Sequence, residues 1–253
     1  MTMTMTTSTF TRTEASAGRP GGRPTRIAVR PSGSGVVVAA LDAGDYLVPR
    51  VLERRGRDVR IALVGRCAML VAGDRVELEL EVGAGVRLEL VEPSGTVAYN
   101  ARGGAARWCA RAVVAEGGVL TWQAAPLVVA AGADLTREVR IELAEGGRAA
   151  MSELVVLGRS GEAGGVLRAR QRVTCAGRPL LVEELELSGP ELPGILGGHR
   201  VLGTVAVLGQ RPAELPVPTA TYLAGPGALG RVIGDAAHVV EPELSALWGA
   251  WRL

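Results

Sequence analysis

The sequence predicts a mainly β protein: a β-helix or β-solenoid-like stack of short strands with a small C-terminal helical part. Three observations support this prediction. Apolar and polar residues alternate in the best-defined segment, as they do in a half-buried strand. A glycine turn and a second alternating strand follow that segment. The whole strand–turn–strand unit then recurs at about 30 residues, a period typical of arrays in which each unit covers the apolar face of the next.

The first complete unit spans residues 75–91. Between Arg75 and Val82 the valines and leucines occupy one face and the charged residues the other. A helix would distribute the same leucines around its axis, so the segment is predicted to be a strand. The sequence Gly83-Ala84-Gly85 then turns the chain, because glycine tolerates positive φ. Three apolar residues resume the alternation after the turn: Val86, Leu88 and Leu90.

Three further copies contain the same turn signal. The glycines that end the four turns are 33, 29 and 30 residues apart, at Gly85, Gly118, Gly147 and Gly177. Stacked coils are the first interpretation of this spacing. An antiparallel sandwich also has short strands and regular turns, so both architectures stay open at this point.

The chain is predicted to contain one domain after a leader. Residues 1–25 lack the apolar central region of a signal peptide and are interpreted as a disordered leader. Residues 26–253 are predicted to form a single β-helical domain with a C-terminal helix at about residues 241–252. Pro242 suits the first turn of that helix. Four apolar residues then follow at helical spacing: Leu244, Leu247, Trp248 and Trp251.

The two tryptophans of this helix need a surface that buries them. The first interpretation is that Trp248 and Trp251 cap the open end of the solenoid, whose end strands would otherwise lack partners. The alternative is that they form a docking surface for another protein. Tryptophan is enriched among the residues that dominate binding energy at interfaces.

Composition excludes several classes of partner. The 28 basic and 26 acidic residues give a net charge of +2, which does not favour nucleic acid or an anionic membrane. No run of 18 apolar residues is present, as a membrane-spanning helix would require. The three cysteines, Cys67, Cys109 and Cys175, are far apart and lie among apolar residues. They are predicted to be buried, reduced thiols in a cytoplasmic protein.

The motifs of common enzymes are missing. The sequence has no lysine for a phosphate-binding loop. Its two histidines, His199 and His238, are too few for a multi-histidine metal site and offer little to a catalytic relay. One Gly-x-Gly-x-x-Gly string begins at Gly225, but it follows a proline-rich stretch and belongs to no βαβ unit. The sequence therefore gives no motif of these enzyme classes.

Polar residues on apolar strand faces are the better functional signal. Glu153 shares a face with Met151 and Val155, and Glu183 shares one with leucines. Gln171 falls on the apolar face of the strand before Glu183. Each glutamate lies six residues after its turn glycine, so in stacked coils the two carboxylates would be one rung apart, about 4.8 Å.

Two interpretations of these glutamates stay open. Inward-facing carboxylates would line an interior through which a divalent ion passes, because such ions accept carboxylate and water ligands. The alternative is that a bulge reverses the parity of a strand and turns one or both glutamates to solvent. Neither interpretation is decided by the residues alone.

Several strings, taken in order, resemble the urease accessory protein family UreD, also called UreH. The resemblance covers about residues 60–210. Two departures from the family pattern are visible: Ala72 stands where a second glycine is usual, and residues 92–100 replace a stretch that contains threonine and lysine. The matching strings are Leu70 to Val76, Val82 to Gly85, Ser152 to Arg159, Gly177 to Glu183, and His199 to Gly203.

The resemblance implies a function as well as a β-helical fold. A member of this family would be a non-catalytic chaperone that docks on apo-urease. It would join the accessory proteins F and G, the latter a GTPase, to deliver nickel, with a dimer as one arrangement in that complex. An internal tunnel would give Asp74, Glu153 and Glu183 a transient nickel-binding role and Gln171 a lining role. The C-terminal tryptophans would close the fold or contact accessory protein F. Nickel would be in transit, with no tightly bound cofactor.

Two rival functions stay open on the sequence. A carbohydrate-active enzyme on a β-helix would use Glu153 and Glu183 as an acid and base pair, and it would need both on an exposed face. The aromatic content of 3% argues against a sugar-stacking groove. The second rival is a structural β-solenoid with no ion path.

Overall fold

The computed structural model describes residues 22–188 and 192–253, which form two facing β-sheets and two helices. The helices are α1 Leu192–Leu196 and α2 Ala237–Trp251. The strands are β1 Thr25–Ser32, β2 Gly35–Asp42, β3 Leu47–Arg55, β4 Asp58–Gly65, β5 Arg75–Val82, β6 Arg87–Val91, β7 Thr96–Ala98, β8 Ala106–Val114, β9 Val119–Gln123, β10 Leu127–Val129, β11 Asp134–Leu143, β12 Arg148–Leu157, β13 Val166–Cys175, β14 Arg178–Leu187, β15 Val201–Leu208, β16 Thr221–Tyr222 and β17 Gly227–Gly234.

Of the predicted leader, residues 1–25, the first 21 residues lie outside the described part of the chain. Its last residue, Thr25, begins β1 and has a buried side chain. The Thr25 hydroxyl donates a hydrogen bond to the Leu47 carbonyl (3.0 Å) and accepts one from the Gly44 N–H (3.2 Å). The β-structure therefore includes residue 25, which the predicted boundary had placed in the leader.

Three successive coils build the centre of both sheets. Sheet A has the strand order β14-β13-β11-β8-β5-β1-β2, and sheet B has the order β16-β17-β15-β12-β9-β6-β4-β3, with β10 and β7 beside β12. β5, β8 and β11 are parallel in sheet A, as β6, β9 and β12 are in sheet B. Each coil thus contributes one strand to each sheet. Because a sandwich of hairpins would pair these strands antiparallel, the stacked-coil prediction is confirmed.

The glycine turns of the three coils stack on one another. The Gly85 N–H donates to the Glu116 carbonyl of the next turn (3.0 Å). Gly85, Gly117 and Gly146 share positive φ values of 61°, 64° and 69°, which glycine adopts without steric cost. The equivalent glycine of the second turn is therefore Gly117, and the coil lengths are 32 and 29 residues. The predicted first spacing of 33 was one residue too long.

The fourth copy of the repeat is a hairpin, which corrects the prediction of a fourth coil. β13 and β14 pair antiparallel within sheet A, and only Ala176 and Gly177 separate them. Both residues have positive φ (48° and 73°), as in the type I′ turn of two-residue hairpins. Four residues separate the strands at each coil corner. The shorter turn reverses the chain within one sheet and ends the series of coils.

The main core lies between the two sheets. Alternate residues of each strand point into it, including Leu78 and Leu80 of β5 and Leu88 and Leu90 of β6, and these are almost fully buried. The outer face of sheet A carries arginine–glutamate pairs instead, such as Arg111 with Glu142. Inward and outward faces therefore follow the predicted alternation along the coils.

Helix α2 begins four residues earlier than predicted and covers the outer face of sheet B rather than an open end. It packs on β12, β15 and β17. Its first turn is formed by Ala237–Val240, and Pro242 lies inside the helix. Val240 extends the apolar stripe by one turn, and its burial against sheet B favours the longer helix over the boundary that the proline predicted.

Trp248 and Trp251 are buried within this chain. Both rings lie in a second apolar cluster between α2 and sheet B, and the Trp251 Nε1–H donates to the Glu214 carbonyl (3.1 Å). The two predicted partner-binding residues are therefore not available as a free docking surface. Within the described residues, no helix is both long and apolar enough to cross a membrane.

The thiols are less buried than the sequence predicted. Cys67 is exposed, and Cys109 and Cys175 are half-buried. All three are free. Cys67 lies in the segment after β4 and Cys109 is on the outward face of β8, so their apolar sequence neighbours do not enclose them.

Candidate ion path

Glu153 points into the space between the sheets. It lies on β12 between Met151 and Val155, whose side chains belong to the main core. Only 12% of its side chain is exposed. The interpretation in which a bulge turns this glutamate to solvent is therefore wrong for Glu153, because β12 keeps regular pairing with β15 through this residue.

Arg137 of sheet A neutralises Glu153 across the interior. The Arg137 Nη2 atom lies 2.5 Å from Glu153 Oε1, and the arginine side chain is 10% exposed. The guanidinium also stacks over the Trp108 ring at 4.6 Å, a cation–π contact. Arg137 was not among the residues predicted from the sequence. Its position in the sequence could have predicted it. Arg137 lies between Leu135 and Val139 in the alternation of β11, and both of these neighbours point into the core.

Glu92 supplies a second interior carboxylate. It continues the alternation of Leu88 and Leu90 by two residues and so points to the same side of sheet B. Its Oε1 accepts a hydrogen bond from the Trp122 Nε1–H (3.0 Å), and its Oε2 accepts one from the Ala125 N–H (3.3 Å). Burial raises the pKa of Glu92 above its ordinary value, while these donors and the Arg137 charge oppose the rise.

Glu92 and Glu153 occupy the same position in coils two steps apart. They follow Val91 and Ser152, and both of these residues are paired in register with Gln123 of the intervening coil. Ala124, which follows Gln123, therefore lies between the two glutamates. A small cavity of about 30 Å³ adjoins both carboxylates and is lined also by Thr96, Ala124 and Arg137. Glu92 and Glu153 therefore lie on either side of Ala124 and line one small cavity.

A wider cavity adjoins this cluster. It has a volume of about 170 Å³ and shares Glu92 and Thr96 with the smaller cavity. The exposed residues Cys67 and Tyr99 also line it. Glu92 and Thr96 therefore line both the inner cavity and a cavity that includes exposed residues.

Gln171 and Glu183 extend the polar cluster toward the last strands. The Gln171 Nε2–H donates to Glu153 Oε2 (3.4 Å). Gln171 is also directly opposite Glu183 in the pairing of β13 with β14. Glu183 forms an ion pair with Arg231 of β17, and its side chain is 20% exposed. Both residues predicted from this region therefore face the interior.

Glu153 and Glu183 are not one rung apart, which corrects the predicted stacking. Glu153 is in sheet B and Glu183 is in sheet A. The reason is the β13–β14 hairpin: six residues after a coil corner lead into sheet B, whereas six residues after the hairpin turn stay in sheet A. The two carboxylates are linked through Gln171 and each has its own arginine.

Asp74 lies apart from this cluster. Its carboxylate accepts hydrogen bonds from the Val71 N–H (2.8 Å) and the Tyr46 hydroxyl (3.1 Å), and it thereby fixes the loop before β5. Burial and the Asp74 charge raise the pKa of the neighbouring Cys67 thiol. Among the described residues, no three His, Cys, Asp or Glu side chains are grouped to hold a metal ion. The assignment of Asp74 to an ion path stays a prediction.

The geometry of the cluster does not suit acid–base chemistry on a polymer. Glu153 and Glu183 face the interior and each is paired with a guanidinium, whereas a glycan-cleaving pair would need an open groove. Carboxylate and amide oxygens are weak, exchangeable ligands for divalent ions. Their alternation with arginines keeps the net charge of the interior low.

Comparison with known proteins decides the family. A model of the family described as UreD urease accessory protein matches residues 26–253. A protein of Streptomyces griseus named urease accessory protein UreD 1 is 49% identical over 233 residues, which cover 90% of this chain and 91% of the relative. The chain belongs to the UreD family. A UreD of Streptomyces avermitilis is 35% identical over 85% of this chain and 87% of its own length.

Membership in the UreD family fits the whole of the fold. A further relative, UreD 1 of Saccharopolyspora erythraea, is 35% identical over 80% of this chain and 84% of its own length. The matched region includes every strand from β2 to β17 and both helices. The UreD resemblance predicted from ordered strings is therefore confirmed, and it extends beyond the predicted residues 60–210.

Proposed function

We propose that this chain is a urease accessory protein that assists urease maturation without catalysing a reaction. It binds apo-urease together with the accessory proteins F and G, the latter a GTPase, and it helps to deliver nickel to the urease active site. Membership in the UreD family over residues 26–253 is the observation that carries this proposal. It acts in the cytoplasm, where its partners and reduced thiols are found, and it can form a dimer within that complex.

The proposed route for nickel follows the interior polar residues. The ion enters through the cavity bounded by Cys67 and Tyr99, passes Glu92 and continues past Glu153. Support comes from the inward direction of both carboxylates and from the cavity between them. Nickel, a borderline cation, accepts carboxylate and water oxygens but binds them more weakly than imidazole or thiolate. Because these ligands are weak, nickel would pass through the protein and would not be stored in it.

Gln171 and Glu183 continue the route toward the last strands. Gln171 touches Glu153 and lies opposite Glu183, which supports a relay of oxygen ligands across sheet A. Asp74 would act near the mouth, beside the exposed Cys67. No cofactor is bound tightly in this scheme, because each inward carboxylate of the relay has an arginine or hydrogen-bond donors as its resting partner.

The proposed partners are tested by co-expression of this chain with accessory proteins F and G and apo-urease. One co-purifying complex is expected. Purification of this chain without the accessory proteins and urease would contradict the proposed role. This result would not depend on the proposed ion route.

The proposed route is tested in the same complex with two neighbouring variants. Glu183→Gln removes the inward carboxylate, and we expect less nickel per urease active site at limiting nickel. Glu184→Gln is the matched control, because it makes the same change on the exposed face of the same strand, where Glu184 pairs with Arg170. Equal nickel content with both variants, in complexes of equal yield, would contradict a role of Glu183 in the route.

A further inference from the structure

We propose that Glu92 and Glu153 form a latent divalent-cation site, which the guanidinium of Arg137 occupies and thereby closes in the free protein. The inference deepens the proposed function by assigning a closed state to the route, and it rests on that function only for the identity of the ion as nickel. Displacement of Arg137 would open the site. The two carboxylates would then be the ligands.

The protein already holds a cation at this place. Arg137 Nη2 lies 2.5 Å from Glu153 Oε1, and Arg137 lines the same small cavity as Glu92. The Oε1 atom of Glu153 is buried and accepts no hydrogen bond from the described residues, so charge attraction to Arg137 is its compensation. A buried carboxylate without such compensation is strongly unfavourable. The site is thus built for positive charge.

Charge balance favours a divalent ion over the guanidinium when both carboxylates are ionised. Arg137 carries one positive charge and neutralises one carboxylate. The second carboxylate, Glu92, has only neutral hydrogen-bond donors as its direct partners among the described residues, the Trp122 Nε1–H (3.0 Å) and the Ala125 N–H (3.3 Å). An ion of charge +2 would neutralise Glu92 and Glu153 together. The site is therefore matched to a divalent ion and only half matched to its present occupant.

The surroundings of Arg137 allow its displacement. Its guanidinium is held by Glu153 and by stacking on Trp108, and the cavity of about 30 Å³ adjoins it. Gln171 now donates its amide N–H to Glu153, and rotation of that amide would offer its carbonyl oxygen as another ligand. Oxygen ligands of this kind suit nickel, cobalt and manganese ions at modest affinity.

The test is the direct binding of nickel chloride to the purified full chain, measured by equilibrium dialysis. In Arg137→Gln the competing charge is gone, so we expect binding about tenfold tighter than in the wild-type chain. The double variant Arg137→Gln with Glu153→Gln should return to the wild-type level. Arg140→Gln is the matched control, because it removes an exposed guanidinium from the outer face of the same strand.

Two results would overturn the inference: nickel binding by Arg137→Gln that is no tighter than in the wild type, or tighter binding that survives the added Glu153→Gln change. If Arg137→Gln does not fold, the wild-type chain still gives an answer. Nickel displacing Arg137 should quench the fluorescence of Trp108 and Trp122 in the wild type but not in Glu153→Gln, and equal quenching would contradict the site. Because neither measurement uses urease, failure here leaves the accessory role standing.

Discussion

Arg137 is the residue that sets the electrostatics of the interior. A single buried guanidinium faces carboxylates from two different coils, and it also covers the Trp108 ring. Breaking a buried ion pair by removing one partner costs about 3–5 kcal/mol, because a charge is left uncompensated. Arg137 and Glu153 are therefore a structural unit as well as parts of the proposed route. Glutamine is the informative replacement for both residues, because it removes the charge and keeps a polar side chain.

Sequence alternation was sufficient to find inward polar residues when it was applied to every strand. It identified Glu153, Gln171 and Glu183, and the same rule marks Glu92 and Arg137. Those two do not share the position six residues after a turn glycine that singled out Glu153 and Glu183. The partner of each acid could not be predicted, since Arg137 and Arg231 come from strands on the opposite sheet.

The pH dependence of stability tests the environment of Glu92. Its pKa is raised in the folded state, so the folded protein binds this proton more strongly than the unfolded chain does. The stabilisation is complete below the ordinary value of 4.5 and is lost as pH rises through the raised pKa. Glu92→Gln cannot titrate. We expect its free energy of unfolding, relative to the wild type, to increase as pH rises above the ordinary value of 4.5.

The measurement is urea unfolding of both proteins at several pH values from 4.5 upward. Glu89→Gln is the control, because it makes the same change on the outer face of β6, where Glu89 pairs with Arg60. Arg137 and Glu153 are the charged groups that face Glu92 and stay unchanged in both variants. Parallel curves for Glu92→Gln and the wild type would show that Glu92 does not titrate as a buried carboxyl.

At the scale of elements, the β13–β14 hairpin determines where the coils end. Its glycine lies at the same spacing as the glycines of the coil corners, so the period alone predicted a fourth coil. The difference is the number of residues between the strands: four at a corner and two at the hairpin. A two-residue turn returns the chain beside the strand that it left, whereas a corner carries it to the other sheet. For the same reason Glu183 lies in sheet A and Glu153 in sheet B.

The hairpin turn offers a prediction about stability. Ala176 has a φ of 48°, a left-handed conformation that an alanine adopts at a cost and that asparagine tolerates better. Ala176→Asn creates the Asn-Gly sequence preferred in this turn, and we expect it to stabilise the fold by about 0.5–1 kcal/mol in urea unfolding. Ala144→Asn is the control at an exposed coil corner without positive φ. Equal changes in both variants would contradict the explanation from backbone conformation.

At the scale of the whole molecule, the local sequence pattern predicted the stacked coils but not the arrangement of the strands and helix at the two ends of the stack. Strict alternation and glycine turns predicted a stack of four coils, of which the first three are present. The end strands are antiparallel: β1 pairs with β2, β3 pairs with β4, and β15 pairs with β17. Helix α2 lies against a sheet face, because β15 and β17 present apolar residues on both of their sides. The periodicity of a helix predicts that it has an apolar face, but it does not predict which surface of the protein covers that face.

The same architecture places the candidate route along the coil axis. Stacking in register aligns Glu92, Ala124 and Glu153 on one wall of the interior, and sheet A supplies Arg137 and Gln171 from the opposite wall. A route of this kind depends on open space as well as on charge. Ala124 is the small residue that leaves that space between the two carboxylates.

Nickel content of urease matured with Ala124→Leu tests the central claim most directly, because the larger side chain fills the cavity without changing any charge. Ala124→Ser is the control of similar size. With complexes of equal yield and limiting nickel, we expect Ala124→Leu to lower nickel per urease active site severalfold and Ala124→Ser to leave it at the wild-type value. Full nickel loading with Ala124→Leu would contradict passage of the ion through the interior.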